Sequence, residues 1–246
     1  MLWNASALNG YPIKATDGQL GTVAGVMYDE SDWSIRWLVA DTGDWLSGRR
    51  ALLPVAALGQ PDPDRHHLPV NLTMRQVAEC PDFDASEPLS QETETMVRNY
   101  YDLPNGDDRV PADGEIARGP SRVLVAAPAG LDVTRDGSHV HRISGITGDS
   151  IEAADGDIGH AEDFPIDSTL WQVRFLTVHA SSWWTDEKRL ISPLSIDWID
   201  RARSIIHLDV TCQKEKDSPP YVAAETVDGA FDELFHTDYG IRWVRR

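Results

Sequence analysis

The sequence predicts a mainly β protein made of two similar units, each a small antiparallel barrel or sandwich followed by a short helix. Three observations carry that expectation. One constellation of residues occurs twice at a constant spacing. The segments between its fixed points are short and apolar, with turn-forming residues every eight to twelve positions or so. Helix cap signals, Thr73 and Ser90, come only after the strands of the first unit.

The repeat is read first, because self-similarity decides the architecture. Asp17 and Asp155 stand 138 positions apart. The same offset links Gly21 to Gly159, Asp29 to Asp167, Trp33 to Trp171, Arg36 to Arg174, Leu38 to Leu176 and Trp45 to Trp183. One inserted residue then shifts Pro54 onto Pro193, and the original offset returns for Thr73 and Thr211, Pro81 and Pro219, and Tyr101 and Tyr239. A period this long indicates a duplicated domain rather than a solenoid. The expected division is residues 1–104 for the first unit with its helix, 105–138 for a linker, and 139–246 for the second unit with a C-terminal helix.

Residues 1–7 read as a lead-in. A strand over 11–15 is followed by Asp17-Gly18, a hairpin signal in which Gly supplies the positive φ of a tight turn. Residues 21–28 form the next strand, with Gly25 marking a bulge or bend. Asp29 to Asp32 make a polar turn. Residues 34–40 alternate, with Ile35, Trp37 and Val39 on one face and Arg36 and Leu38 on the other. Residues 49–53 and 67–72 complete five strands. Thr73 caps one helical turn over 74–78, and Ser90 caps a helix that ends before Pro104. Residues 105–120, rich in Gly, Pro and Asp, read as an exposed linker. Residues 123–127 form an apolar run with no counterpart in the first unit. The second unit repeats strands over 150–153, 159–166, 172–178, 189–192 and 204–210, then a helix over 228–237.

The chain has 246 residues and a formal net charge of −18, which argues against nucleic acid and anionic membrane surfaces as partners. Cys80 and Cys212 do not match between the copies and give no disulfide or metal spacing, so the expected setting is reducing and cytoplasmic. No signal peptide is evident, and no run of apolar residues is long enough for a membrane span.

Each polar candidate has a structural reading beside a functional one. Asp17, Asp155, Asp29 and Asp167 read as turn residues before cation ligands. Arg36 and Arg174 read as partners of acids across the sheet. His66 and His67 form one histidine cluster. His139 and His141, alternate residues that would share a strand face, form another, with no third metal ligand marked by spacing. The acidic stretch from Asn105 to Glu115 lacks the spacing of a calcium loop. No nucleophile motif is present. Nine tryptophans are many for this length, and Trp183-Trp184 are adjacent, so both cannot point into one core. Trp45, Trp183 and Trp184 are therefore the candidate interaction residues.

The order Asp155-Gly156, Gly159-His160, Glu162-Asp163-Phe164, Asp167, Trp171, Arg174-Phe175-Leu176, Trp183-Trp184, Ile191-Ser192-Pro193 resembles the PRC-barrel family, as does the later Asp209-Val210-Thr211 followed by Lys216-Asp217-Ser218-Pro219-Pro220-Tyr221. This family includes the cytoplasmic domain of the photosynthetic reaction-centre H subunit, and a related barrel occurs in ribosome maturation factors. The resemblance covers about 75 residues of each copy. The first copy departs from it at Thr22, at Val26-Met27 and in lacking a second Trp after Trp45. The resemblance implies two small antiparallel β-barrels acting as adaptor modules without enzymatic activity or cofactor. The functional expectation is a non-enzymatic docking or scaffold protein working through protein–protein contacts. The partner is a protein, with a homodimer and peripheral contact with a membrane complex as further possibilities. The alternative expectation is a small-ligand or metal sensor with its site between the two barrels.

Overall fold

The computed structural model describes residues 1–84, 89–103, 139–180 and 188–213. Over these residues the protein is mainly β. The elements run β1 (Leu2–Asn4), α1 (Ala5–Leu8), β2 (Pro12–Lys14), β3 (Gln19–Asp29), β4 (Ile35–Asp41), β5 (Arg50–Pro54), β6 (Leu68–Pro69), α2 (Met74–Ala78) and α3 (Gln91–Tyr100) in the first half. The second half has β7 (Val140–Arg142), β8 (Ser150–Ala153), β9 (Gly156–Asp163), β10 (Pro165–Asp167), β11 (Gln172–Val173), β12 (Leu176–Ala180), β13 (Lys188–Ile191), β14 (Ile196–Asp200) and β15 (Ile205–Leu208). The expected linker, the apolar run at 123–127 and the helix over 228–237 lie outside the described residues.

The first half pairs its strands in the order β5-β4-β3-β2-β6, with β2 and β6 parallel. The second half runs β13-β12-β9-β8-β15-β14, with β8 and β15 parallel. Neither sheet closes on itself through a backbone ladder among the described residues. Backbone detail recurs at the 138-residue offset. Thr16 N–H donates to Leu72 O at 2.9 Å, as Ala154 does to Val210 O at 2.9 Å. Positive φ values recur in pairs: Gly21 (144°) with Gly159 (148°), Trp33 (61°) with Trp171 (49°), and His66 (50°) with Ser204 (56°). The offset does not slip near Pro54. Leu53 opposes Leu38 and Ile191 opposes Leu176, so Ser192 rather than Pro193 takes the place of Pro54.

The halves are joined by reciprocal strand exchange. The lead-in is a strand: β1 lies antiparallel on β10, with Leu2 opposite Asp167 and Asn4 opposite Pro165. Its counterpart β7 lies antiparallel on β3, with Val140 opposite Asp29 and Arg142 opposite Met27. Between these ladders Ile35 N–H donates to Trp171 O at 2.7 Å, and Val173 N–H donates to Trp33 O at 2.9 Å. These ladder contacts mirror one another, in the manner of an isologous interface between two subunits. The left-handed backbone at Trp33 and Trp171 is costly for a bulky residue, roughly 1–3 kcal/mol. Here it belongs to a pair of residues whose carbonyls accept hydrogen bonds from the other half.

One hydrophobic core serves both halves. Leu8, Ile13, Leu38 and Leu53 share it with Ile151, Phe164, Trp171 and Ile206, all essentially closed to water. A second, smaller core holds Met27, Trp37, Val39 and Leu52 from the opposite face of the first sheet against Leu89 and Val97 beside and within α3. β4 is therefore buried on both faces. Ile35 and Leu38 lie in the large core, Trp37 and Val39 in the small one, and the expected split into an apolar and a mixed face does not hold. α3 starts where expected, with Ser90 Oγ accepting from Thr93 N–H at 3.1 Å. α2 starts with a complete capping box between Thr73 and Gln76.

The Asp-Gly turns work differently from the expectation. Neither Gly18 nor Gly156 has positive φ. A Cβ on Gly18 would sit 2.6 Å from Sδ of the flexible Met74 side chain, so the glycine makes room for Met74 rather than supplying an unusual backbone conformation.

Candidate functional site

Trp45 lies in a short 3-10 turn, Gly43–Leu46, and is 37% exposed. Its indole N–H donates to Leu20 O at 2.6 Å. The ring is thus held in one orientation, with its polar atom already satisfied. Trp183 and Trp184 lie outside the described residues.

The turn aspartates are bound to backbone. Asp17 Oδ1 accepts from Met74 N–H at 2.8 Å, and Asp155 Oδ1 accepts from Cys212 N–H at 2.6 Å, which ties each turn to the end of its own half. Asp29 accepts from Ser31 N–H and from the Arg36 guanidinium, whose Nη2 is 2.9 Å away. Asp167 accepts from Thr169 N–H at 2.8 Å. Arg174 donates its backbone N–H to Pro165 O. His66 packs edge-on against Tyr11 with ring centroids 4.7 Å apart. His67 Nδ1 lies 3.4 Å from Arg65 O. His139 O accepts from Glu30 N–H, while the His141 side chain is buried at the junction of the halves. Among the described residues no three His, Cys, Asp or Glu side chains converge as metal ligands. Both cysteines, Cys80 and Cys212, are free and buried.

The junction holds a charged cluster that spacing alone did not reveal. Glu30 follows β3 with its side chain 6% exposed. Its Oε2 lies 2.5 Å from Arg201 Nη2 and 3.2 Å from His141 Nε2. Arg201 comes from the turn between β14 and β15, and its Nη2 also lies 3.4 Å from the Tyr28 hydroxyl. Tyr28 is fully buried and stacks on Trp33 with ring centroids 4.9 Å apart. Burial alone would raise the Glu30 pKa, but hydrogen bonding to His141 and the Arg201 charge together bring it below its usual value. Burial pushes the Tyr28 phenol up, and burial raises the Asp149 carboxyl as well. Glu30 and Arg201 form a buried ion pair at the centre of the cluster, while Nε2 of His141 and Nε of Arg201 are closed to solvent without a geometrically formed hydrogen bond.

The same place at the mirror-related junction is chemically different. The 138-residue offset puts Ser168 against Glu30, Trp3 against His141, Ile166 against Tyr28 and Pro63 against Arg201. There Trp3 packs edge-on against Tyr11, with centroids 5.3 Å apart. One junction is ionic and the other aromatic. The single sequence signal was the repeat itself, which places Glu30 opposite a serine.

The surface depression lined by Ser90, Gln91, Glu92, Thr95 and Met96 is wide open to solvent and carries one acid. Among the described residues no helix is long and apolar enough to cross a membrane. In comparisons with known proteins, no family model matches the chain and no curated protein matches it.

Proposed function

We propose that the chain is a tandem pair of PRC-type barrels derived from one duplicated module, and that it works as a non-enzymatic docking scaffold. The recurrence of strand order, register and left-handed residues at one offset supports the duplication. The barrel reading rests on the residues that resemble the family. The acidic surface and two free thiols fit a cytoplasmic setting.

The observation that carries the docking role is Trp45. It is a large exposed aromatic whose N–H is already engaged, so its ring offers apolar area without an unpaired polar atom. Rigid aromatic anchors of this kind supply most of the energy at protein interfaces. The frame behind it is stiff, because reciprocal ladders weld the halves. The partner is a protein with a pocket for the indole.

The test is affinity purification of the full chain from its native cell after cross-linking, with wild type and Trp45→Ala side by side. A stoichiometric partner is expected with wild type, and its affinity should fall by about 30-fold or more in the variant, as for a hot-spot residue. Light scattering separates a homodimer from a heterologous complex. A wild-type protein that stays monomeric and captures nothing stoichiometric refutes the reading. So does a partner bound equally by Trp45→Ala.

A further inference from the structure

Arg142 ends β7 and stands opposite Met27 on β3. Directly opposed residues of an antiparallel pair project to the same face. Met27 and Val140 both pack in the smaller core, so Arg142 is turned toward the α3 face of the first sheet. Arg50 shares a face with Leu52 on β5, and Leu52 packs in that same core. Both cations thus face the same side of the first sheet.

Among the described residues neither is neutralised. Nε and Nη2 of Arg142 are closed to solvent and have no hydrogen-bond partner. Burial, reinforced by the Arg50 charge, lowers the Arg142 pKa. Among the described residues neither guanidinium has an ion-pair partner. Burying a guanidinium without an acceptor is unfavourable. In a chain of net charge −18 there is no shortage of acids to fill the role.

The other half shows what is missing. At the 138-residue offset Gly25 corresponds to Asp163, Arg142 to Asn4 and Arg50 to Lys188. The Asp163 carboxylate accepts from Ser6 N–H at 3.1 Å, from the Ser6 hydroxyl and from Phe164 N–H at 2.8 Å. There the position of Gly25 carries an anion, while Lys188, at the position of Arg50, pairs with Glu162. The first half has Gly25 instead, and a Cβ built there would lie 3.5 Å from Arg142 Nη1 and 4.0 Å from Val39 Cβ. A side chain at this position would start in van der Waals contact with the guanidinium, and its φ is not one that only glycine adopts.

We propose that Gly25, Arg50 and Arg142 form an oxyanion-binding site, which takes a carboxylate or phosphate group where the other half carries the side chain of Asp163. Arg142 belongs to the second half, Gly25 and Arg50 to the first, so the ligand bridges the two. The site gives the sensor expectation a ligand class and rests on that reading. It is independent of docking through Trp45.

The test is thermal denaturation of the full chain in sodium chloride, sodium acetate and sodium phosphate at matched ionic strength. Acetate or phosphate is expected to raise the wild-type Tm by a few degrees above chloride, since a ligand bound only by the folded state adds to its stability. A response to acetate alone assigns a carboxylate, and one to phosphate alone a phosphate group. Gly25→Asp supplies the anion internally, so its Tm in chloride rises and its response to both anions disappears. Arg142→Met, which keeps the bulk without the charge, also loses the response and serves alone if Gly25→Asp does not fold. Equal wild-type melting in all three salts overturns the proposal. So does a variant that keeps the wild-type anion response. Loss of partner capture in Trp45→Ala would leave this result untouched, which separates the two readings.

Discussion

Replacing Glu30 by Gln removes the acid that holds the ionic junction. Arg201 and His141 then face each other across an uncharged amide, with side-chain exposures of 23% and 5%. Breaking a buried pair from one side costs about 3–5 kcal/mol. Gln keeps an acceptor oxygen and Arg201 retains some water, which brings the expected loss to about 2–3 kcal/mol. For a chain of this length each kcal/mol moves Tm by roughly 2–4 °C, so Tm at neutral pH should fall by about 4–12 °C. The effect has a signed pH dependence. The folded pKa of Glu30 lies below its ordinary value of 4.5. Its stabilisation is therefore fully present above the unfolded value and is lost as pH falls through the depressed folded value. Scanning calorimetry across the acid range should show wild-type and variant curves well apart near neutrality and converging below the ordinary carboxyl range. A neutral-pH difference under about 2 °C, or a gap that stays constant into acid, would refute the reasoning.

Three further outcomes follow from the geometry. Gly21→Ala places a Cβ 2.0 Å from Asp41 O at a φ of 144°; the backbone must move, and urea denaturation should show a loss above about 2 kcal/mol. Thr73→Ala removes the side-chain half of the α2 capping box and leaves the backbone N–H of residue 73 donating to Gln76 Oε1; the denaturation midpoint should correspond to a loss of about 1 kcal/mol. Glu94 behaves oppositely to Glu30. Burial raises its pKa despite the Trp37 indole, 3.4 Å from Oε1, and the Arg98 charge. A raised acid favours the folded state at low pH and loses that contribution as pH rises. Glu94→Gln, which still accepts from Trp37, should therefore raise Tm near pH 7 and leave it unchanged near pH 4.

Local chemistry was legible in the sequence where it acts over a few residues. Thr73 and Ser90 marked the starts of α2 and α3, because a side-chain oxygen three residues before an orphan amide is a local fact. Gly25 marked a bulge, and the register of β3 against β4 does shift between Val23 and Gly25. What stayed hidden depends on distant partners. Residues 2–4 carry no alternation of their own, and their strand exists only because β10 offers an edge. Both faces of β4 are apolar because α3 covers the second one. The segment expected as one strand over 172–178 is two, since β11 joins β10 while β12 pairs with β9 and β13. Glu30 read as a turn residue. Its burial comes from Arg201, 171 positions later. Pro54 and Pro193 do not occupy equivalent positions, and the ladders keep the offset constant across the apparent insertion.

Reciprocal exchange also sets the order of events during synthesis. Leu2 finds its partner only once Asp167 has been made. Until then a nascent first half carries two raw edges, that of its own leading strand and that of β3 where β7 will sit. Contacts of such long reach form late and slowly, and open edges are where neighbouring chains join wrongly. Two nascent first halves on one message would present matching edges to each other, so crowding on the polysome, more than heat, is the hazard this architecture carries.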